Sequence, residues 1–215
     1  MLGVEIMTTM AEFFSGRSTE TISRELLGKL LSYESPKGLV SGYIVEAEAY
    51  LGVADSAAHA YEGRRTKAND ALYGAPGNIY IYTSRGYYAF DIAVQEKGEP
   101  QGILVRGIEP KDGLDIMMAN RPKSGSELTN GPGKLMQAFG VNDLHWNNTM
   151  LDQSPFKIDL QDSREPLRIA TSARIGVSKR GGQTDAPYRY FVAGNPYVSG
   201  MRKRDMDLET HGWVK

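Results

Sequence analysis

The sequence predicts a single mixed α/β domain organised on antiparallel strands. Three observations carry that prediction. The chain has 215 residues, 40% of them apolar and 24% charged, enough bulk for one hydrophobic core and the usual balance of a globular domain. Three β-rich runs, at 79–83, 87–94 and 102–108, follow one another through connections too short for a crossover helix, the pattern of a meander. Apolar stripes at helical spacing occur on either side of that block. No repeat, low-complexity linker or domain boundary interrupts residues 1–215, so one domain is expected, with a short mobile N-terminus and a mobile tail from about residue 201.

In chain order, residues 18–31 (STETISRELLGKLL) open with hydroxyl caps and set Ile22, Leu26, Leu27, Leu30 and Leu31 on one stripe, which predicts a helix. Ser35-Pro36-Lys37-Gly38 is a turn, and residues 39–45 (LVSGYIV) form an apolar strand. Residues 60–77 are too long and polar for a hairpin. They read as a functional loop with one helical turn near 69–73. After the meander, residues 112–120 (DGLDIMMAN) form a helix with an aspartate at the cap. A second helix opens at Gly131-Pro132-Gly133-Lys134. Proline near N1 suits a tight helix start, and the same start can receive a phosphate, with Lys134 adding charge. The spacing is not that of a nucleotide-triphosphate loop. Short strands follow at 156–158, 168–170 and 188–192.

Composition narrows the function. No apolar run approaches the roughly 20 residues of a membrane span. The first residues carry neither a basic n-region nor a small-residue cleavage site, so a cytoplasmic protein is expected. There is no cysteine, and His59, His145 and His211 have no metal-ligand spacing, so neither a metal nor another cofactor is expected. The net charge of −1 argues against a nonspecific polyanion binder. The basic residues are grouped, however, at 64–67, 179–180 and 202–204, and groups of that kind can make one phosphate-binding face.

The candidate chemistry starts where the 39–45 strand ends. Strand alternation places Val45, Ala47 and Ala49 on one face and Ile44, Glu46, Glu48 and Tyr50 on the other, with His59 following. Arg106 ends an apolar strand, and Tyr80 and Tyr82 share one face of another. A carboxylate beside a cation suits water activation, and planar side chains in a cleft suit a nucleobase. The same residues also suit a solvated edge strand and core-packing tyrosines.

The run Glu46-Ala47-Glu48-Ala49-Tyr50-Leu51-Gly52 with Ala57-Ala58-His59 resembles the active-site signature of the alkyladenine (3-methyladenine) DNA glycosylase family. The resemblance continues in order through Arg65-Thr66, Asn69, Pro76-Gly77, Tyr80, Tyr82 and Ile103-Leu104-Val105-Arg106. It extends to Asn130-Gly131-Pro132-Gly133-Lys134-Leu135, Ala173-Arg174-Ile175-Gly176-Val177 and Gly194-Asn195-Pro196-Tyr197-Val198-Ser199, covering roughly residues 10–200.

The resemblance implies one α/β domain, a curved antiparallel sheet flanked by helices, acting as a monomer on double-stranded DNA that contains damaged purines. It implies base flipping and hydrolysis of the N-glycosidic bond of 3-methyladenine, 7-methylguanine and hypoxanthine, without strand cleavage. By the same resemblance Glu48 is the general base, and Arg106 and the carbonyl of Ile175 hold the water. Tyr50 and Tyr82 sandwich the base, while His59 and Ala57 meet its edge through backbone groups. Arg65, Asn69, Lys134 and Arg85 are the expected DNA contacts. Two positions depart from the pattern: Arg85 stands where many relatives place a tyrosine wedge, and Asp91 stands at the pocket asparagine. A binder without chemistry is the competing reading, but such a protein has no use for a Glu48–Arg106 pair.

Overall fold

The computed structural model describes residues 9–177 and 181–215. The basic pair Lys179-Arg180 and residues 1–8, where a mobile N-terminus was expected, lie outside the described residues. Two helices come first, α1 (Met10–Phe13) and α2 (Thr19–Glu25), followed by β1 (Lys29–Ser35) and β2 (Gly38–Tyr50). The meander is β3 (Ile79–Ser84), β4 (Tyr87–Val94) and β5 (Gln101–Pro110). Helices α3 (Leu114–Asn120) and α4 (Pro132–Phe139) precede β6 (Phe156–Ser163), β7 (Ile169–Ser172) and β8 (Arg189–Val192). Among the described residues the fold is thus one open eight-stranded antiparallel sheet with four helices.

The long strand β2 is the spine. Residues 42–50 of one edge pair with β5, while its other edge is shared. Residues 38–43 pair with β1 and residues 46–48 with β8. The order β3-β4-β5-β2-β1-β6, with β8 and then β7 continuing from the second half of β2, leaves one sheet face for the core. On that face Phe90, Ile92, Ile103 and Val105 meet Leu135, Met136 and Phe139 of α4, and Ile22 and Leu26 of α2 join them. Fully burying a side chain of this kind contributes roughly 1.5–3 kcal/mol, so this layer dominates the stability.

Several expectations change. The helix expected over 18–31 stops at Glu25, and residues 29–35 are a strand between β2 and β6. Gly28 forces the break: its φ is +85°, and a Cβ there would lie 1.9 Å from the carbonyl oxygen of Arg164. The alternation along β2 is interrupted by register shifts on both sides of Glu46, so Ile44 joins the core with Val45 while Glu46 and Glu48 do not. Gly113, not Asp112, caps α3, and Asp112 instead accepts a hydrogen bond from the Ser41 hydroxyl at 2.6 Å. The tail expected to be mobile is docked. Trp213 is buried and donates its indole N–H to Glu109 at 2.8 Å, and Val214 donates its backbone N–H to the Glu165 carbonyl. Among the described residues no helix is long and apolar enough to cross a membrane.

Candidate active site

Opposite the core, the ends of β2, β3, β4 and β5 floor an open cleft of about 1620 Å³. The loop at 56–69 and the segment at 175–177 form its walls, and the β3–β4 hairpin stands at its rim. Glu46 and Glu48 leave β2 two residues apart, on the side away from the Val45–Ala47–Ala49 core face, and Arg106 of β5 reaches both. Its Nε donates to Glu46 at 2.7 Å and its Nη1 lies 3.3 Å from Glu48. All three side chains are buried.

The two carboxylates have opposite electrostatics. Burial acts most strongly on Glu46 and would raise its pKa. Arg106, Arg189 at 2.7 Å and the hydroxyl and amide of Ser199 outweigh it, and Glu46 is held below the ordinary carboxylate value. Glu46 is therefore the permanent anion of the pair. Burial also dominates at Glu48, and there it prevails. Arg106, the Ile175 backbone N–H at 2.7 Å and the Tyr50 hydroxyl at 2.9 Å stabilise the carboxylate, Glu46 repels it, and its pKa is raised. A carboxyl moved towards working pH, with both oxygens oriented, is suited to taking a proton from water.

The aromatic groups gather around this carboxyl. Tyr80 and Tyr82 stack with centroids 4.9 Å apart, and His59 meets Tyr82 edge-on at 4.7 Å. His59 Nδ1 and the Tyr80 hydroxyl are 2.8 Å apart. Desolvation against these rings, and then repulsion from Arg64, lower the pKa of His59, so the imidazole is neutral at physiological pH. The Arg174 guanidinium lies over the Tyr50 ring at 4.6 Å. Tyr50 and Tyr82 thus each have one face already occupied, and each lines the cleft. Asp91 of β4 also lines it, buried, with Oδ1 lacking a hydrogen-bond partner; burial raises its pKa well above the carboxylate range.

The structure brings together Arg106, Tyr50, Tyr82, His59, Ala57, Asn69, Asp91, Arg85 and Ile175 around one cleft, and Glu48, fully buried, is held by Tyr50, Ile175 and Arg106 of that lining. Several predicted residues also make contacts within the fold. Ile175, whose carbonyl was expected to hold the water, donates its amide to Glu48 at 2.7 Å. Asn69 is buried, and its side-chain amide donates to the carbonyls of His59 and Arg64 while accepting from Thr66, so it shapes the loop. Arg65 is paired with Asp70 and Lys134 with Glu127, both at salt-bridge distance, and neither lines the cleft. Arg64 and Lys67 do line it and are exposed. Sequence reasoning missed Glu46 and Arg189 as an ion cluster, and Asp55–Arg174 as a buried pair. Glu46, at i−2 from Glu48 in a strand that buries this face, was the available signal for the first. Asp55 and Arg174, far apart in sequence, offered none.

Comparison with known proteins identifies the family. The family model for methylpurine-DNA glycosylase matches residues 12–196. The chain is similar to proteins carrying the name "Putative 3-methyladenine DNA glycosylase" in three bacteria. It is 52% identical over 204 residues to that of Lactobacillus delbrueckii subsp. bulgaricus, covering 94% of this chain and 98% of the relative. The protein of Latilactobacillus sakei subsp. sakei is 50% identical over 203 residues, covering 94% and 95%. That of Staphylococcus saprophyticus subsp. saprophyticus is 41% identical over 200 residues, covering 93% and 98%. The chain belongs to the methylpurine-DNA glycosylase family.

Proposed function

We propose that the protein excises alkylated and deaminated purines, 3-methyladenine, 7-methylguanine and hypoxanthine, from double-stranded DNA by hydrolysis, acting as a monomer. The observation that carries this reading is Glu48. It is fully buried against three cleft-lining residues, Tyr50, Ile175 and Arg106, which fix its oxygens, and its pKa is raised. A flipped base enters between Tyr50 and Tyr82, and Arg64, Lys67 and Arg85 at the rim meet phosphates. Flipping costs a few kcal/mol and favours weakly paired lesions. Glu48 takes a proton from water as the water oxygen bonds to the sugar C1′. The C1′–N bond breaks, its electron pair leaves with the base, and an abasic sugar with a C1′ hydroxyl remains. Among the described residues Lys67 is exposed at the rim and Lys134 is held by Glu127, which supports hydrolysis that leaves the strand intact.

The test is free-base release from a methylated duplex and from a duplex carrying one hypoxanthine, followed with and without alkali. The expected result is release of free base, with strand breakage only after alkali. No released base from either duplex, with binding retained, would favour a damage-binding protein instead.

A further inference from the structure

We propose that the buried Asp55–Arg174 pair is a positioning device for the hydrolytic site, seating the Tyr50 ring and presenting the Ile175 amide to Glu48. The inference rests on the hydrolytic role of Glu48 proposed above. Arg174 is buried, and its guanidinium holds Asp55 through two bonds, Nη1–Oδ2 at 2.5 Å and Nη2–Oδ1 at 2.8 Å. Nη1 also donates to the carbonyl of Ala49 at 2.9 Å, and Nη2 to that of Gln183 at 3.3 Å. Asp55 in turn accepts the backbone N–H groups of Leu51 and Ala57, both at 3.0 Å. One ion pair therefore joins the end of β2, the 51–57 loop and the segment that carries Ile175.

Those are the parts that must keep register for Glu48 to be oriented. Of the three groups on Glu48, the Tyr50 hydroxyl belongs to a ring lying under the Arg174 guanidinium, and the Ile175 amide is the next residue in the chain. Only Arg106 is held independently, by Glu46. A planar fork that binds a carboxylate in two places and lies over a ring is a geometry lysine cannot reproduce. A simple tie between loops would need the charge pair alone. Here the same guanidinium also occupies one face of Tyr50, leaving the other for a base.

Loss of the pair has a readable sign. Glu48 is faced by Glu46 and Tyr50 on its own strand, Arg106 on β5, Tyr82 on β3, Asp91 on β4 and Arg174 beside Ile175. Releasing Tyr50 and Ile175 removes two donors to the carboxylate while burial and Glu46 still oppose ionisation, so Glu48 becomes harder to deprotonate.

The experiment uses the full chain as parent, Arg174→Lys and Asp55→Asn. Folding is checked by circular dichroism and melting, and single-turnover base release from methylated duplex is followed against pH. The expected result is a rate lowered roughly 10–100-fold, by analogy with the outer-shell partners that orient metal-ligating side chains, an acid limb moved to higher pH, and duplex affinity within about threefold of the parent. Should Arg174→Lys fail to fold, Asp55→Asn carries the same comparison. Folded variants with the parental rate and acid limb would overturn the positioning role. A parent that releases no base would instead overturn the reading of the activity.

Discussion

At the scale of single residues, the site divides its charges by neighbour rather than by depth. Glu46 and Glu48 are equally buried, yet two arginines and Ser199 keep the first ionised, and burial raises the second. Asp91 is the extreme case, a buried carboxyl with an unpartnered oxygen. Burial raises its pKa and so favours the protonated form, which has one donor as well as acceptor capacity. The unpartnered Oδ1 can accept a hydrogen bond from the exocyclic amine of a guanine-derived lesion, which hypoxanthine lacks. Asp91→Asn is therefore expected to lower the ratio of 7-methylguanine to hypoxanthine excision, and an unchanged ratio would remove Asp91 from base selection. The same substitution has a sign in stability. A folded pKa above the unfolded one stabilises the native state at low pH, and that contribution is lost as pH rises through the folded value. The melting-temperature gain of Asp91→Asn should grow from pH 5 to pH 8, each kcal/mol appearing as roughly 2–4 °C.

At the scale of elements, the β3–β4 hairpin closes through Arg85-Gly86, both at positive φ (51° and 82°), with Ser84 opposite Tyr87. Two left-handed residues suit the twist of a two-residue hairpin loop. They carry the exposed Arg85 guanidinium to the cleft rim, where it can stack in a duplex gap or meet a phosphate. Arg85→Ala should weaken binding to lesion duplex and reduce the salt slope of log K by about one unit. Equal affinity and slope for the two proteins would leave Arg85 a solvated turn residue. The meander holding this hairpin was legible from residues, because alternating runs and short turns are local signals. Strand β1 was not, since Leu26, Leu27, Leu30 and Leu31 fit a helical stripe equally well. Only the contact of Gly28 with Arg164, far away in sequence, decides the matter.

At the scale of the whole molecule, the sheet works in two layers. One face packs the helices and the other lays the chemistry along the ends of four adjacent strands. Glu48, Tyr50, His59, Tyr82 and Arg106 could be named from the sequence because residue type and family pattern coincide. Their supports could not, because Arg189, Ser199 and Arg174 arrive from strands and loops that only folding brings near. The central claim is that Glu48 activates the water, and Glu48→Gln tests it most directly, keeping shape while removing the base. With single-turnover base release and duplex binding measured on the same methylated DNA, the account predicts release reduced roughly 10²–10⁴-fold and binding retained. Release by Glu48→Gln at the parental rate would contradict it.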